Sequence, residues 1–159
     1  MDFDLSEEQR LLKESVDGLL GDSYDFEARK KYMKEKGGWS KAVWGKLAEQ
    51  GLLGLPFSED DGGFGAGAVE TMIVMEALGR ALVIEPYLAT VVIGGGLLRH
   101  GASVAQKEAH IPSIIDGSNE AMDWTAQIAP SYFNNRKVSI YGGSNEIQRN
   151  IITKAVLGL

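Results

Sequence analysis

The stretch YGGSNEIQR, residues 141–149, combines residue types that could contact a ligand. Gly142 and Gly143 permit a tight turn and let a ligand approach the backbone closely. Ser144 or Asn145 can cap the helix that follows, which leaves free N–H groups at the positive end of the helix dipole. Such an end suits a phosphate or a ligand oxygen that gains negative charge. Because glycine turns have low specificity, a purely structural turn stays open as the alternative.

Two other stretches carry weaker signals. Residues 62–67, GGFGAG, have neither a preceding strand nor a following Lys-Ser/Thr pair, so they match neither a P-loop nor a dinucleotide-binding turn. We interpret them as a flexible surface loop within residues 52–67. The acidic run at residues 59–61 could bind a cation, but solvated surface charge is the favoured interpretation.

Single side chains add little chemistry. Glu76 lies among apolar residues and is either a buried acid or an ion-pair partner of Arg80 four residues later. His100 precedes Gly101 and is interpreted as a partner of a helix C-terminus. The tryptophans are expected to fill the core, and they are Trp39, Trp44 and Trp124.

Composition excludes several function classes. The chain has 159 residues, enough for one domain with a real core, and a formal net charge of -6. This charge argues against a nucleic-acid surface and weakly against an anionic membrane. Without Cys, and with two His, disulfides, metal sites and Ser-His-Asp triads are not expected. The acidic N-terminus and the short apolar runs predict a cytoplasmic protein.

The apolar spacing is helical almost throughout and predicts an all-α helical bundle of about six to seven helices. Ser6 with Gln9 and Ser103 with Gln106 form capping boxes. The expected helix ends are Gly21, Gly37, Gly51, the Glu85-Pro86 pair after Leu82, and Pro112, which kinks or ends its helix. Residues 87–100 are predicted as one buried helix, with segments at 119–129 and from Ser144 or Asn145 onward. A short strand at 52–56 or 138–141 stays open.

The chain is similar to a known family. IYGGSNEIQRNIITKAVLGL closely resembles the closing stretch of flavin-dependent acyl-CoA dehydrogenases. Three other stretches resemble the N-terminal helical domain of that family, namely MDFDLSEEQRLLKESV, WGKLAEQGLLGLPFSEDDGGFG and MIVMEALGRAL. The combination is most similar to small subunits of the pimeloyl-CoA dehydrogenase type.

Members of this family have an N-terminal helical domain, a middle β domain and a C-terminal four-helix domain. By resemblance, residues 1–118 match the first and residues 119–159 match only the last helices of the third. The flavin-binding segment of the middle domain, Thr/Ser-Glu-x-x-x-Gly-Ser-Asp, is nowhere in the chain. The resemblance therefore implies an internal deletion, a mis-spliced gene or a deliberately minimised protein.

The resemblance also implies a reaction and site residues. In the family FAD accepts a hydride from Cβ of an acyl-CoA while a carboxylate removes the Cα proton, which gives a trans-2-enoyl-CoA. Many members place the Glu base directly after the Tyr of this motif, where this chain has Gly142. Ser144 and Glu146 match positions that contact FAD. The backbone N–H of Gly142 matches one that polarises the thioester carbonyl, and Tyr141 matches a packing residue beside the flavin.

Two hypotheses follow from the resemblance. The first is a subunit of an FAD-dependent acyl-CoA dehydrogenase that forms a homo-oligomer, or a hetero-oligomer with a large dehydrogenase subunit. The second is a truncated, non-catalytic helical domain that acts only in folding or oligomerisation. The second hypothesis expects exposed apolar surface at residues 62–67 and along LATVVIGGGLL.

Overall fold

The computed structural model describes residues 4–118 and 145–158, and across these ranges the chain forms seven α-helices and no strand. The chain divides into two compact units, Met1–Asn119 and Glu120–Leu159, which are described separately. Within the described ranges no helix is long and apolar enough to cross a membrane. The helices are α1 Glu7–Ser23, α2 Phe26–Tyr32, α3 Lys41–Glu49, α4 Ala68–Arg80, α5 Gly95–Gly101, α6 Val104–Ile115 and α7 Asn145–Leu157, with a 3₁₀ helix at Glu59–Asp61 and a π-helix at Leu88–Gly94.

The core of the first unit lies where α1, α3 and α4 meet the segment 52–57. The apolar face of α3 is formed by Val43, Trp44 and Leu47, which are buried, while Ala48 is half-buried. Trp39 is also half-buried and packs edge-on against Trp44, with ring centroids 5.9 Å apart. The other fully buried large hydrophobic side chains are those of Val16, Leu52, Leu53, Phe57, Val74, Tyr87, Val91 and Ile111.

Both predicted capping boxes are confirmed, at the starts of α1 and α6. The predicted helix ends were less accurate. Helix α1 continues past Gly21 to Ser23, because Gly21 keeps helical geometry and the chain leaves the helix at Tyr24. Helix α2 ends at Tyr32 rather than near residue 36, and α4 ends at Arg80, before Leu82. Helix α6 continues through Pro112 to Ile115, so this proline does not end it.

The interpretation of residues 52–67 as a surface loop was wrong for residues 52–57, where Leu52, Leu53 and Phe57 are buried, but Phe64 and most of the glycine-rich part are exposed as expected. Backbone N–H groups of the glycine-rich part donate to carbonyls of the preceding turn, from Gly65 to Phe57 at 2.6 Å and from Ala66 to Leu55 at 2.9 Å. The Gly63 N–H donates to the Ser58 carbonyl at 2.8 Å. The segment is therefore a folded turn whose apolar part lies in the core. The possible strand at 52–56 does not form.

The predicted single helix at 87–100 is two helices of different type. The π-helix turns into α5 at Gly95, inside the run of three glycines. A Cβ on Gly95 would lie 2.8 Å from the Phe57 ring, so this glycine permits the close approach of a neighbour. The stretch is only partly buried, since Val91 is in the core while Ile93 and Leu97 are exposed.

In the second unit, α7 begins at Asn145, where the sequence predicted the start of the last helix. Its apolar residues are exposed, and they are Ile147, Ile151, Ile152 and Val156. The predicted helix at 119–129, the possible strand at 138–141 and Trp124 lie outside the described residues.

Candidate functional site

The site residues taken from the resemblance are not brought together by the described structure. Gly142 and Ser144 lie outside the described residues. Glu146 lies in the first turn of α7, and its side chain is not described. The roles assigned to these three residues stay predictions.

Two acidic residues that were candidates for a functional role, Glu76 and Asp61, instead make local contacts within the first unit. Glu76 is exposed, and its carboxylate lies 3.8 Å from Arg80 on the next turn, in agreement with an ion pair at the helix edge. In the acidic run, Asp61 accepts a hydrogen bond from Ser58 Oγ at 2.7 Å and lies 3.8 Å from Lys107. Among the described residues no group of acids or histidines could hold a metal ion.

The buried acid of the first unit is Glu85, which follows α4 and is 6% exposed. Its Oε2 accepts a hydrogen bond from the Tyr24 hydroxyl at 2.8 Å, and its Oε1 accepts one from the Ser40 backbone N–H at 3.1 Å. The Tyr24 hydroxyl in turn accepts from the Ile84 N–H at 2.9 Å. One carboxylate thus joins the end of α1, the start of α3 and the segment before the π-helix, with both oxygens occupied.

Burial and the neighbouring carboxylate change the acidity of this cluster. Desolvation raises the pKa of Tyr24 well above its usual value, and the hydrogen bond to Glu85 raises it further. Burial likewise raises the pKa of Tyr87, whose hydroxyl donates to the Leu52 carbonyl at 2.9 Å. Both phenols stay protonated at neutral pH, so they act as hydrogen-bond donors rather than as bases.

The π-helix is anchored at both ends on the same turn. At its start, Tyr87 bonds to Leu52, and at its end Gly95 packs on Phe57. Wide helical turns of this type are rare and are frequently found at functional sites. The outward-facing apolar residues of this stretch are Leu88, Ile93 and Leu97.

An open groove of about 330 Å³ lies between α2, α4 and the segment that connects α4 to the π-helix. Arg29 stands at its edge, where Nε donates to the Leu82 carbonyl at 2.8 Å. Leu82 has φ +55, and it is the one non-glycine residue with positive φ in the described backbone. The groove is lined by Arg29, Met75, Leu78, Gly79, Leu82, Val83, Glu85, Tyr87 and Leu88.

Comparison with known proteins identifies the family of this fold. Residues 6–118 match the family described as acyl-CoA dehydrogenase, N-terminal domain. The chain belongs to the acyl-CoA dehydrogenases. The family expected from the sequence resemblance and the predicted all-α fold are therefore both confirmed.

Several acyl-CoA dehydrogenases are similar over this region. IpdE2 of Mycolicibacterium smegmatis is 34% identical over 65% of the chain and 34% of its own length, and the probable enzyme YngJ of Bacillus subtilis is 26% identical over 74% and 31%. The solved ChsE4-ChsE5 complex of Mycobacterium tuberculosis matches with a TM-score of 0.68 and 30% identity, over 74% of the chain and 32% of the other. The chain thus spans about a third of the length of the relatives it matches.

Acyl-CoA dehydrogenases bind FAD, so the described residues can be tested as a flavin site. The groove is apolar apart from Arg29 and Glu85, and Glu85 already has both oxygens occupied. A flavin dinucleotide needs several backbone or side-chain donors for its pyrophosphate, and it needs a cavity that covers most of its surface. This groove by itself does not fit FAD.

The buried acid that sequence reasoning missed is Glu85. The missed signal was an acidic residue between apolar runs, in LVIEPYLATVV. A charged residue in such a run is rarely buried without partners. The partners come from Tyr24 and Ser40, 61 and 45 residues away, so no local pattern could name them.

Proposed function

We propose that this chain supplies the N-terminal helical layer of an FAD-dependent acyl-CoA dehydrogenase, which oxidises an acyl-CoA thioester to the trans-2-enoyl-CoA. The observation that carries the proposal is the family match across residues 6–118, which covers the described part of the first unit except residues 4 and 5. The two-part composition of the similar ChsE4-ChsE5 complex supports assembly with a second dehydrogenase subunit.

The proposal includes finer assignments that rest on the resemblance. The acyl group is dicarboxylyl and pimeloyl-like, the partner is a large dehydrogenase subunit, and the complex acts in the cytoplasm in fatty acid metabolism. Ser144 and Glu146 contact FAD, and the backbone N–H of Gly142 contacts the thioester carbonyl. Since Gly142 has no side chain, the catalytic carboxylate comes from outside this motif.

The alternative is a non-catalytic helical domain that acts in folding or oligomerisation. It is favoured by one specific observation, namely that the groove of the first unit does not fit FAD although this unit has a buried hydrophobic core. The two candidates differ in whether flavin binds when the partner is supplied.

The experiment compares the purified chain alone with the chain co-expressed with a large dehydrogenase subunit of the pimeloyl-CoA type. The proposal expects flavin absorbance and a higher melting temperature on addition of FAD in the co-expressed sample, together with dye reduction by pimeloyl-CoA. Colourless protein in both samples, with no thermal shift from FAD, would support the alternative.

The assigned residues are tested in the co-expressed sample. Ser144→Ala should weaken FAD retention, while Ser118→Ala, a serine near the end of the first unit, serves as the matched control. Equal FAD content in both variants would remove Ser144 from the proposed flavin contact.

A further inference from the structure

We propose that the groove beside α2 and α4 binds an unbranched apolar chain that ends in a carboxylate, with the Arg29 guanidinium contacting the carboxylate. This inference does not rest on the proposed function, because it concerns a ligand of the free chain and needs neither FAD nor catalysis.

The walls of the groove suit an apolar chain of moderate length. The apolar lining residues come from α4 and from the segment that follows it, and they are Met75, Leu78, Leu82, Val83 and Leu88. The volume of about 330 Å³ lies at the lower end of the range for small-molecule sites. A slender chain fits this space better than a ring system or a nucleotide.

The charge at the edge of the groove selects an anion. Arg29 uses Nε for the Leu82 carbonyl, and its Nη1 makes a 3.3 Å contact with the Met33 sulfur, which is a weak acceptor. No carboxylate of the described residues forms an ion pair with this guanidinium. Residues 29–36 carry five Lys or Arg and one Glu, which makes this edge cationic although the whole chain is acidic. A carboxylate matches the planar donors of Arg.

The position of Glu85 determines the orientation of the ligand in the groove. The Glu85 carboxylate is buried at the groove and is bonded to Tyr24 and Ser40. A second carboxylate close to it would be repelled and would find no free donor there, since the Tyr87 hydroxyl is also used. The charged end of the ligand therefore lies at Arg29 and the apolar end lies along α4.

Leu82 supplies an independent observation. The Leu82 N–H donates to the Gly79 carbonyl and the Val83 N–H donates to the Leu78 carbonyl, which is a common way for a helix to end. In this motif the residue at the position of Leu82 is usually glycine. A leucine is strained at this positive φ, yet its side chain is 60% exposed and lines the groove. Strain of this kind at an exposed apolar residue points to a ligand contact.

The experiment is an NMR titration of the whole chain with octanoate, with octan-1-ol as the neutral probe. The proposal expects saturable shifts of the amides of Gly79 and Leu82 with octanoate. Arg29→Met should weaken octanoate about tenfold or more, as loss of a charged hydrogen bond implies. Arg80→Met is the matched control, because Arg80 lies outside the groove and pairs with Asp17 and Glu76.

A second variant tests the site if Arg29→Met fails to fold. A Cβ on Gly79 would meet nothing within 4 Å, so Gly79→Leu fills the groove without a backbone clash and should abolish octanoate binding. The proposal would be overturned if octanol bound as tightly as octanoate, or if Arg29→Met and Arg80→Met lost the same amount of affinity for octanoate. It would also be overturned by octanoate binding retained in folded Gly79→Leu, or by no shift at these amides up to about 10 mM octanoate.

Discussion

The Tyr24 hydroxyl lies 2.8 Å from Glu85 Oε2 and connects two residues that are 61 positions apart in the sequence. The Tyr24 oxygen also accepts a hydrogen bond from the Ile84 N–H, so a single phenol bonds to two adjacent residues of the segment that leads into the π-helix. Because Glu85 also receives the Ser40 N–H, the geometry of this segment depends on three separate parts of the chain.

Tyr24→Phe should destabilise the first unit by about 1–3 kcal/mol, because a buried carboxylate and a buried N–H each lose a partner. Urea unfolding followed by circular dichroism measures this change. Tyr32→Phe is the control, since the half-buried Tyr32 makes one hydrogen bond through its hydroxyl, to the Ser23 carbonyl at 2.8 Å, and its loss should cost about 0.5–1.5 kcal/mol. Equal effects of the two substitutions would show that the Glu85 cluster contributes no more than an ordinary hydrogen bond.

Gly63→Ala should be destabilising by about 1–3 kcal/mol or more, because its Cβ would overlap the carbonyl oxygens of Gly54 and Phe57, which are backbone atoms that cannot move aside. Gly45→Ala is the control in α3, where a Cβ meets nothing within 4 Å and alanine should stabilise the helix by about 1 kcal/mol. The measurement is the melting temperature of each variant. A melting temperature of Gly63→Ala at or above that of the parent chain would contradict the packed geometry of residues 54–66.

Leu82→Gly should raise the free energy of unfolding by about 0.5–1 kcal/mol, because glycine adopts φ +55 without the strain of a side chain. The greater freedom of glycine in the unfolded chain offsets part of this gain. Denaturant unfolding measures the gain. The proposed groove ligand should bind more weakly to the same variant, since an exposed wall residue is removed. Loss of stability in Leu82→Gly would show that the leucine side chain packs favourably enough to outweigh its backbone strain.

Glu70 should make stability depend on pH at the start of α4. Its carboxylate accepts hydrogen bonds from Gln9 Nε2 at 2.7 Å and from the Gly67 N–H at 2.8 Å, and these bonds lower its pKa below the usual 4.5. Since the folded pKa is the lower one, the stabilisation is complete above about pH 4.5 and is lost as the pH falls through the folded value.

The measurement for Glu70 is the free energy of unfolding between pH 3 and pH 7 for the parent chain and for Glu70→Gln. Glu70→Gln should make the free energy of unfolding depend less steeply on pH in the acid range. Glu76→Gln is the control, because Glu76 is exposed and its contact with Arg80 is 3.8 Å long. Identical acid slopes in the parent chain and in Glu70→Gln would contradict this role.

Local signals in the sequence predicted most of the helices and several of their starts. The pairs Ser6 with Gln9 and Ser103 with Gln106 form capping boxes because cap and partner are three residues apart and need no other part of the chain. The helix ends were predicted less well. Gly21 and Pro112 lie inside helices, because side-chain packing on the core holds the backbone helical past residues that would otherwise end it.

The sequence by itself determined the all-α class, the family and the apolar faces, since all of these depend on spacing within one segment or on stretches that resemble known members. Tertiary structure alone decided that Glu85 is the buried acid while Glu76 is exposed, and that the glycine-rich residues 62–67 belong to a packed turn. The physical reason is the same in both cases. A buried carboxylate needs donors and a tight turn needs carbonyl acceptors. Here the Ser40 N–H donates to Glu85 and the Phe57 carbonyl accepts from Gly65 only when the chain is folded.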